Sequence, residues 1–139
     1  KAVVEKDELE KGHRAVLNFG HTFAHAFETL GEYRRYHHGE AVGLGMLTAL
    51  ALSKRMGKLK DDYSEQLSEV LIDFGLPVKL PVEFTVQTVI EKIKSDKKRL
   101  KNEVSFVLPV GPGSVEITPV TFDDLPALVG DAMSMLKTS

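Results

Sequence analysis

The feature that most constrains the fold is the spacing of apolar residues, which through the first half of the chain recur every three or four positions and are interrupted by glycine. Between Asn18 and Leu30, the residues Phe19, Phe23, Ala26, Phe27 and Leu30 follow this spacing, and Gly31 is placed to end the helix. A second run, Glu40 to Met56, carries Val42, Met46, Ala49 and Leu50 over several turns, with Gly57 as its stop. A third, from Asp62 to Phe74, sets Tyr63, Leu67, Val70, Leu71 and Phe74 on one side and closes at Gly75-Leu76-Pro77. Three successive helices with short connections predict a bundle.

After Pro81 the pattern changes. Phe84 to Lys94 reads as a short amphipathic helix, while Glu103–Leu108 and Ser114–Thr118 read as brief strands about Pro109-Val110-Gly111-Pro112-Gly113, a hairpin beside the bundle. A last helix is expected from Leu125 to Leu136, capped by Asp123 or Asp124 and tolerating Pro126 in its first turn. The fold class is therefore mainly α, a helical bundle with a small β-hairpin. With 139 residues, 42% of them apolar, and neither repeat nor low-complexity linker, residues 1–139 are expected to form one domain around one core. The opening Lys1-Ala2-Val3-Val4-Glu5-Lys6-Asp7-Glu8 lacks Met and has helical composition, as if cut from a longer helix, so Lys1 is not expected to be a natural terminus.

Composition narrows the function. The 18 basic and 20 acidic residues nearly cancel and form no long block of one sign, which argues against a nucleic-acid surface. There is no Cys, so disulfides and thiolate metal sites are excluded and any metal must be held by His and carboxylate; a reducing cytoplasm fits. The longest mostly apolar stretch, Ala41 to Leu52, is too short for a membrane span and contains Gly43 and Gly45.

The residues able to do chemistry concentrate between Arg14 and Glu40, where four of the five histidines occur: His21, His25, His37 and His38. On a helix, positions 21 and 25 lie one turn apart on one face, so both imidazoles can point into one space. His38 follows His21 by seventeen residues, across the Gly31 turn, and an antiparallel return of the chain brings it back opposite. Two histidines from neighbouring helices, with a carboxylate and an open position, suit a catalytic zinc site. Spacing alone also allows a plainer reading, in which the histidines are packed or solvated and His37 and His38 form a surface corner after Tyr33-Arg34-Arg35-Tyr36.

The wording Arg14-Ala15-Val16-Leu17-Asn18-Phe19-Gly20-His21-Thr22-Phe23-Ala24-His25-Ala26-Phe27-Glu28, followed by His38-Gly39-Glu40-Ala41-Val42, resembles the 3-dehydroquinate synthase family, whose pattern reads R-x-x-L-N-x-G-H-T-x-G-H-A-x-E and then H-G-E-A-V. The resemblance extends upstream to Val3-Val4 and Asp7-Glu8 and downstream to Asp96-Lys97-Lys98 and Phe106-Val107-Leu108. It implies that residues 1–139 are the C-terminal metal- and substrate-binding domain of a two-domain enzyme whose NAD-binding domain lies upstream, and that they are inactive alone.

The same resemblance implies a role for each residue. His21 and His38 correspond to two ligands of Zn2+ (or Co2+), and the family's third ligand is a Glu upstream of Lys1, a place not given to Glu10, Glu28 or Glu40. His25 corresponds to a residue that contacts substrate and helps move protons, work suited to a group titrating near neutrality. Arg14 and Asn18 match substrate-contacting positions, and Lys97 matches a basic residue near the substrate, with Lys98 adjacent to it. The chain departs from the pattern at Ala24, where the family commonly has Gly, a change that is tolerable if helix packing there is loose. It departs also at His13, where an apolar residue is usual, and a functional Lys of the family falls one position before Lys1.

The implied reaction converts 3-deoxy-D-arabino-heptulosonate 7-phosphate to 3-dehydroquinate and phosphate, a step of aromatic amino acid biosynthesis, with NAD reduced and reoxidised in one site. A phosphorylated sugar acid is the expected partner, with no nucleic acid and no membrane, in a cytoplasmic homodimer. Three other readings stand beside it: a different sugar phosphate cyclase, a metal-dependent alcohol dehydrogenase of related architecture, and a non-enzymatic helical module. The pair Arg14 and Asn18 together with Asp96-Lys97-Lys98 favours an anionic, phosphorylated substrate over a simple alcohol.

Overall fold

The computed structural model describes residues 19–30, 38–81, 83–95 and 102–137. Within them the order is α1 (His21–Leu30), α2 (His38–Arg55), α3 (Ser64–Asp73), α4 (Val86–Ser95), β1 (Glu103–Gly111), β2 (Ser114–Thr121) and α5 (Leu125–Ser134). This is the mainly α fold with one antiparallel hairpin that the residue spacing predicts.

The helix ends follow local chemistry. Gly57 and Gly75 both take left-handed φ, +72° and +75°. Each closes its helix with a pair of reversed hydrogen bonds, Lys58 N to Ser53 O and Gly57 N to Lys54 O after α2, Leu76 N to Leu71 O and Gly75 N to Ile72 O after α3. At the start of α1 the structure differs from the apolar spacing: a turn at Phe19–Gly20 comes first, and the helix begins at His21. In α5, Pro126 sits in the first turn as expected, but the Asp124 side chain makes no capping hydrogen bond. Instead the Asp124 N–H donates to the carbonyl of Thr121 at 3.0 Å and to its hydroxyl at 3.3 Å.

The strands run further than Leu108 and Thr118, because the pairing continues from Glu103 opposite Thr121 to Pro109 opposite Val115 before a shift in register near the turn. Proline is tolerated at Pro109 and Pro119 because each strand of a two-stranded sheet has a free edge, so the missing N–H need not interrupt a ladder.

One hydrophobic cluster joins these pieces. Phe23 and Phe27 form the inner stripe of α1 and Phe19, in the turn before it, continues the stripe, all at most 2% exposed. The Phe23 ring stacks on Phe106 of β1 at 5.2 Å between centroids, and Phe27 stacks on Phe84, just before α4, at 5.8 Å. Leu44, Leu50 and Leu52 of α2, with Leu125, Val129 and Met133 of α5, are buried behind them. Full burial of such side chains stabilises by about 1.5–3 kcal/mol each. Polar links fix the hairpin to the end of α2: the buried Ser53 hydroxyl donates to Pro109 O at 2.5 Å, Lys60 N donates to Val110 O at 2.9 Å, and Lys58 pairs with Glu116 at 2.7 Å. Arg55 reaches Asp131 of α5 at 2.6 Å. Among the described residues no helix is long and apolar enough to cross a membrane.

Candidate functional site

α1 divides cleanly into two sides. Phe23, Ala24, Ala26 and Phe27 are buried, while His21 and His25, one turn apart, are exposed. The inner stripe therefore orients the outer one: packing of the phenylalanines fixes the helix rotation, and the two imidazoles are carried to the open side as their spacing requires. His21 also stands at the rim of a cleft of about 270 Å³ whose walls include Thr22, Ser105, Val107 and Ala49. Thr22 and Ser105 were not singled out from the sequence; only the fold brings the hairpin up to the first turn of α1.

Beneath His21 the helices touch backbone to backbone. Gly20, at φ +84°, accepts the Ala24 N–H at 2.8 Å, and a Cβ placed on Gly20 would lie 2.7 Å from Gly45 C, Gly45 O and Met46 N. A Cβ on Gly45 would meet the Gly20 carbonyl and would lie 2.8 Å from Ala24 N and 3.0 Å from Ala24 Cβ. The packing around Ala24 is thus tight rather than loose. Its methyl group is accommodated because residue 45 on the facing helix has no side chain.

His38 is the first residue of α2. Its side chain lies outside the description, and so do Arg14, Asn18 and Lys97, together with His13, His37 and Lys98. Glu28 and Glu40 are half-buried, on α1 and in the first turn of α2. Among the described residues no group of three or more His, Asp or Glu gathers around a point where a metal ion could sit.

The donor chemistry nevertheless fits the ion that the resemblance implies. Among the described residues none hydrogen-bonds to the exposed His21 ring, and a neutral imidazole nitrogen is a borderline-soft donor suited to Zn2+ or Co2+. His21 and His38 both occupy helix N-termini, where the backbone dipole disfavours a cation.

A second cleft, about 430 Å³, lies between α2, α3 and the chain after α5, with Leu47, Ala51, Val78 and Leu136 in its walls and the Lys54–Asp62 ion pair (3.0 Å) at its edge. Asp62 is held below the usual aspartate range, first by the Ser64 hydroxyl that donates to it and then by the Ser64 N–H at 2.9 Å, with Lys54 adding to this. Burial pushes the neighbouring Tyr63 phenol up. These groups fasten the start of α3.

Comparison with known proteins decides the family. The model of the 3-dehydroquinate synthase C-terminal family matches residues 1–99. The chain belongs to that family. The 3-dehydroquinate synthase of Dictyoglomus turgidum is 46% identical over 117 residues, covering 84% of this chain and 32% of the relative. That of Thermodesulfovibrio yellowstonii is 38% identical over 130 residues, covering 93% and 36%. The chain thus spans about a third of the length of the curated relatives it matches. Among solved structures, a 2-deoxy-scyllo-inosose synthase complexed with carbaglucose-6-phosphate, NAD+ and Co2+ superposes with a TM-score of 0.66 at 22% identity, over 82% of this chain and 32% of that one. A second structure of 2-deoxy-scyllo-inosose synthase gives 0.60 at 21% identity, over 81% and 30%. At these identities the likeness is one of fold alone.

Proposed function

We propose that the chain is the metal- and substrate-binding domain of a 3-dehydroquinate synthase acting on 3-deoxy-D-arabino-heptulosonate 7-phosphate, with NAD bound by a domain outside residues 1–139. The observation that carries this reading is the family match over residues 1–99 together with the exposure of His21 and His25 on one side of α1. When bound, NAD supplies a reversible hydride acceptor and the zinc or cobalt ion polarises the substrate hydroxyl that is to be oxidised.

The chain's own residues bind, orient and move protons. His21 and His38 hold the ion from the starts of α1 and α2. Arg14 and Lys97 engage the anionic ends of the substrate, where a guanidinium forms paired, charge-assisted hydrogen bonds to a carboxylate or phosphate. Asn18 supplies an amide for a hydroxyl or oxyanion. His25, one turn beyond His21 on the same side, relays protons as phosphate leaves and the ring reforms, since an imidazole carries two ring nitrogens that can serve as donor and acceptor. Two helix N-termini near the substrate favour an anion there, which suits a phosphorylated sugar acid. The working protein is a cytoplasmic homodimer in this reading.

Metal analysis of the full-length enzyme tests the division of roles. His21→Ala and His38→Ala are expected to lose tight zinc and turnover together, whereas His25→Ala keeps its zinc and turns over slowly. Zinc loss in His25→Ala equal to that in His21→Ala would overturn the assignment.

A further inference from the structure

We infer that Gly45 is a positioning residue for the metal pair, acting with Gly20 as a bare backbone contact that sets how closely α1 and α2 approach. The inference rests on the reading of His21 and His38 as ligands. His21 is the residue after Gly20, and His38 opens α2 seven residues before Gly45, so the contact lies next to one ligand and two helical turns from the other. Seven residues are close to two whole turns, so position 38 stands roughly 10 Å along α2 from the contact.

The geometry leaves no slack at this point. A methyl group on Gly45 would strike the Gly20 carbonyl and would lie 2.8 Å from Ala24 N, and these are backbone atoms that cannot rotate away. They can yield only if α1 moves, and the turn carrying His21 moves with it. The effect can be separated from backbone strain because Gly45 lies inside α2 and, unlike Gly20, has no left-handed φ. In a helix interior, alanine is preferred to glycine by roughly 1 kcal/mol. Any loss on Gly45→Ala therefore comes from the helix contact. Gly43 provides the control on the same helix, since a Cβ there would meet the Leu71 side chain of α3, its nearest atom Leu71 Cδ2 at 3.0 Å, and a flexible leucine tip can shift.

The test is titration of metal-free full-length enzyme with Co2+, read from the visible absorption of the bound ion and from affinity, with helical circular dichroism recorded in parallel. Gly45→Ala is expected to keep its helical signal while Co2+ affinity falls by about tenfold or more, the scale seen for groups that orient metal ligands. Gly43→Ala is expected to bind as the parent does. Parental affinity and spectrum in folded Gly45→Ala would overturn the inference, as would an equal loss in Gly43→Ala. If Gly45→Ala does not fold, Ala24→Val presses on the same contact through a side chain, and undiminished affinity in that folded variant would also overturn it. His21→Ala and His38→Ala are titrated alongside. Retention of Co2+ by both refutes the ligand assignment itself, an outcome distinct from failure at Gly45.

Discussion

Replacing Phe23 tests how α1 is held. The ring is fully buried and stacks on Phe106 at 5.2 Å and on Phe27 at 6.3 Å, so it ties the histidine-bearing helix to the hairpin. Phe23→Ala leaves a cavity in a close-packed interior and is expected to cost about 3–5 kcal/mol. For a domain of this size each kcal/mol lowers Tm by roughly 3–5 °C, so the fall should be about 10–25 °C. Two such deletions together would approach the total stability of roughly 5–15 kcal/mol typical of a domain, so the pairwise term is better measured with leucine. A cycle of Phe23→Leu, Phe106→Leu and the double variant, followed by urea denaturation, is expected to show coupling of about 0.5–1.5 kcal/mol from ring stacking. Additivity within about 0.3–0.5 kcal/mol would mean that the two rings do not interact, and the packing of the hairpin against α1 would have to be redrawn.

Two further outcomes follow from particular side chains. Arg14→Ala in the full-length enzyme should weaken substrate binding by about 1.5–3 kcal/mol, the value of a charge-assisted hydrogen bond, with little change in Tm; a lower Tm at unchanged substrate affinity would instead make Arg14 a structural partner of the preceding turn, for instance of Glu10. Asp62 is held below its ordinary pKa in the folded chain, so its contribution is present above the usual aspartate range and is lost as pH falls through the lowered value. Because the side chain is 37% exposed, Asp62→Ala should cost no more than about 1 kcal/mol at pH 7, and the difference from the parent should vanish in strongly acidic urea titrations; a cost that persists there would not be electrostatic.

The helices were legible because spacing and stop signals agree. Phe23 and Phe27 mark the buried side of α1, and Gly57 and Gly75 supply the left-handed turns that end α2 and α3. The alternation of His21 and His25 with these apolar residues likewise showed which face the imidazoles share. Three features escaped this reading for separate physical reasons. Proline discourages a strand in the interior of a sheet, but the free edges of a two-stranded ladder let β1 and β2 continue through Pro109 and Pro119. The parallel bridge of Leu80 to Lys137, with Leu80 N donating to Leu136 O at 3.0 Å, joins distant segments that share no local pattern. Gly45 looked like an interruption of an apolar run, whereas its role depends on what faces it, the Gly20 carbonyl and Ala24. Thr22 and Ser105 beside His21 belong to the same class, since their proximity arises from the packing of the hairpin. Arg14, Asn18 and Lys97 carry assignments from the motif and lie outside the described residues.

The central claim is most directly tested by turnover of 3-deoxy-D-arabino-heptulosonate 7-phosphate by the full-length enzyme with NAD and Zn2+, following phosphate release and 3-dehydroquinate together. One phosphate per 3-dehydroquinate, with no net NADH accumulating and with activity abolished by His21→Ala, is the predicted result. Failure to turn over this substrate while glucose 6-phosphate or another phosphosugar is cyclised would contradict the claim and assign the site to a different sugar phosphate cyclase.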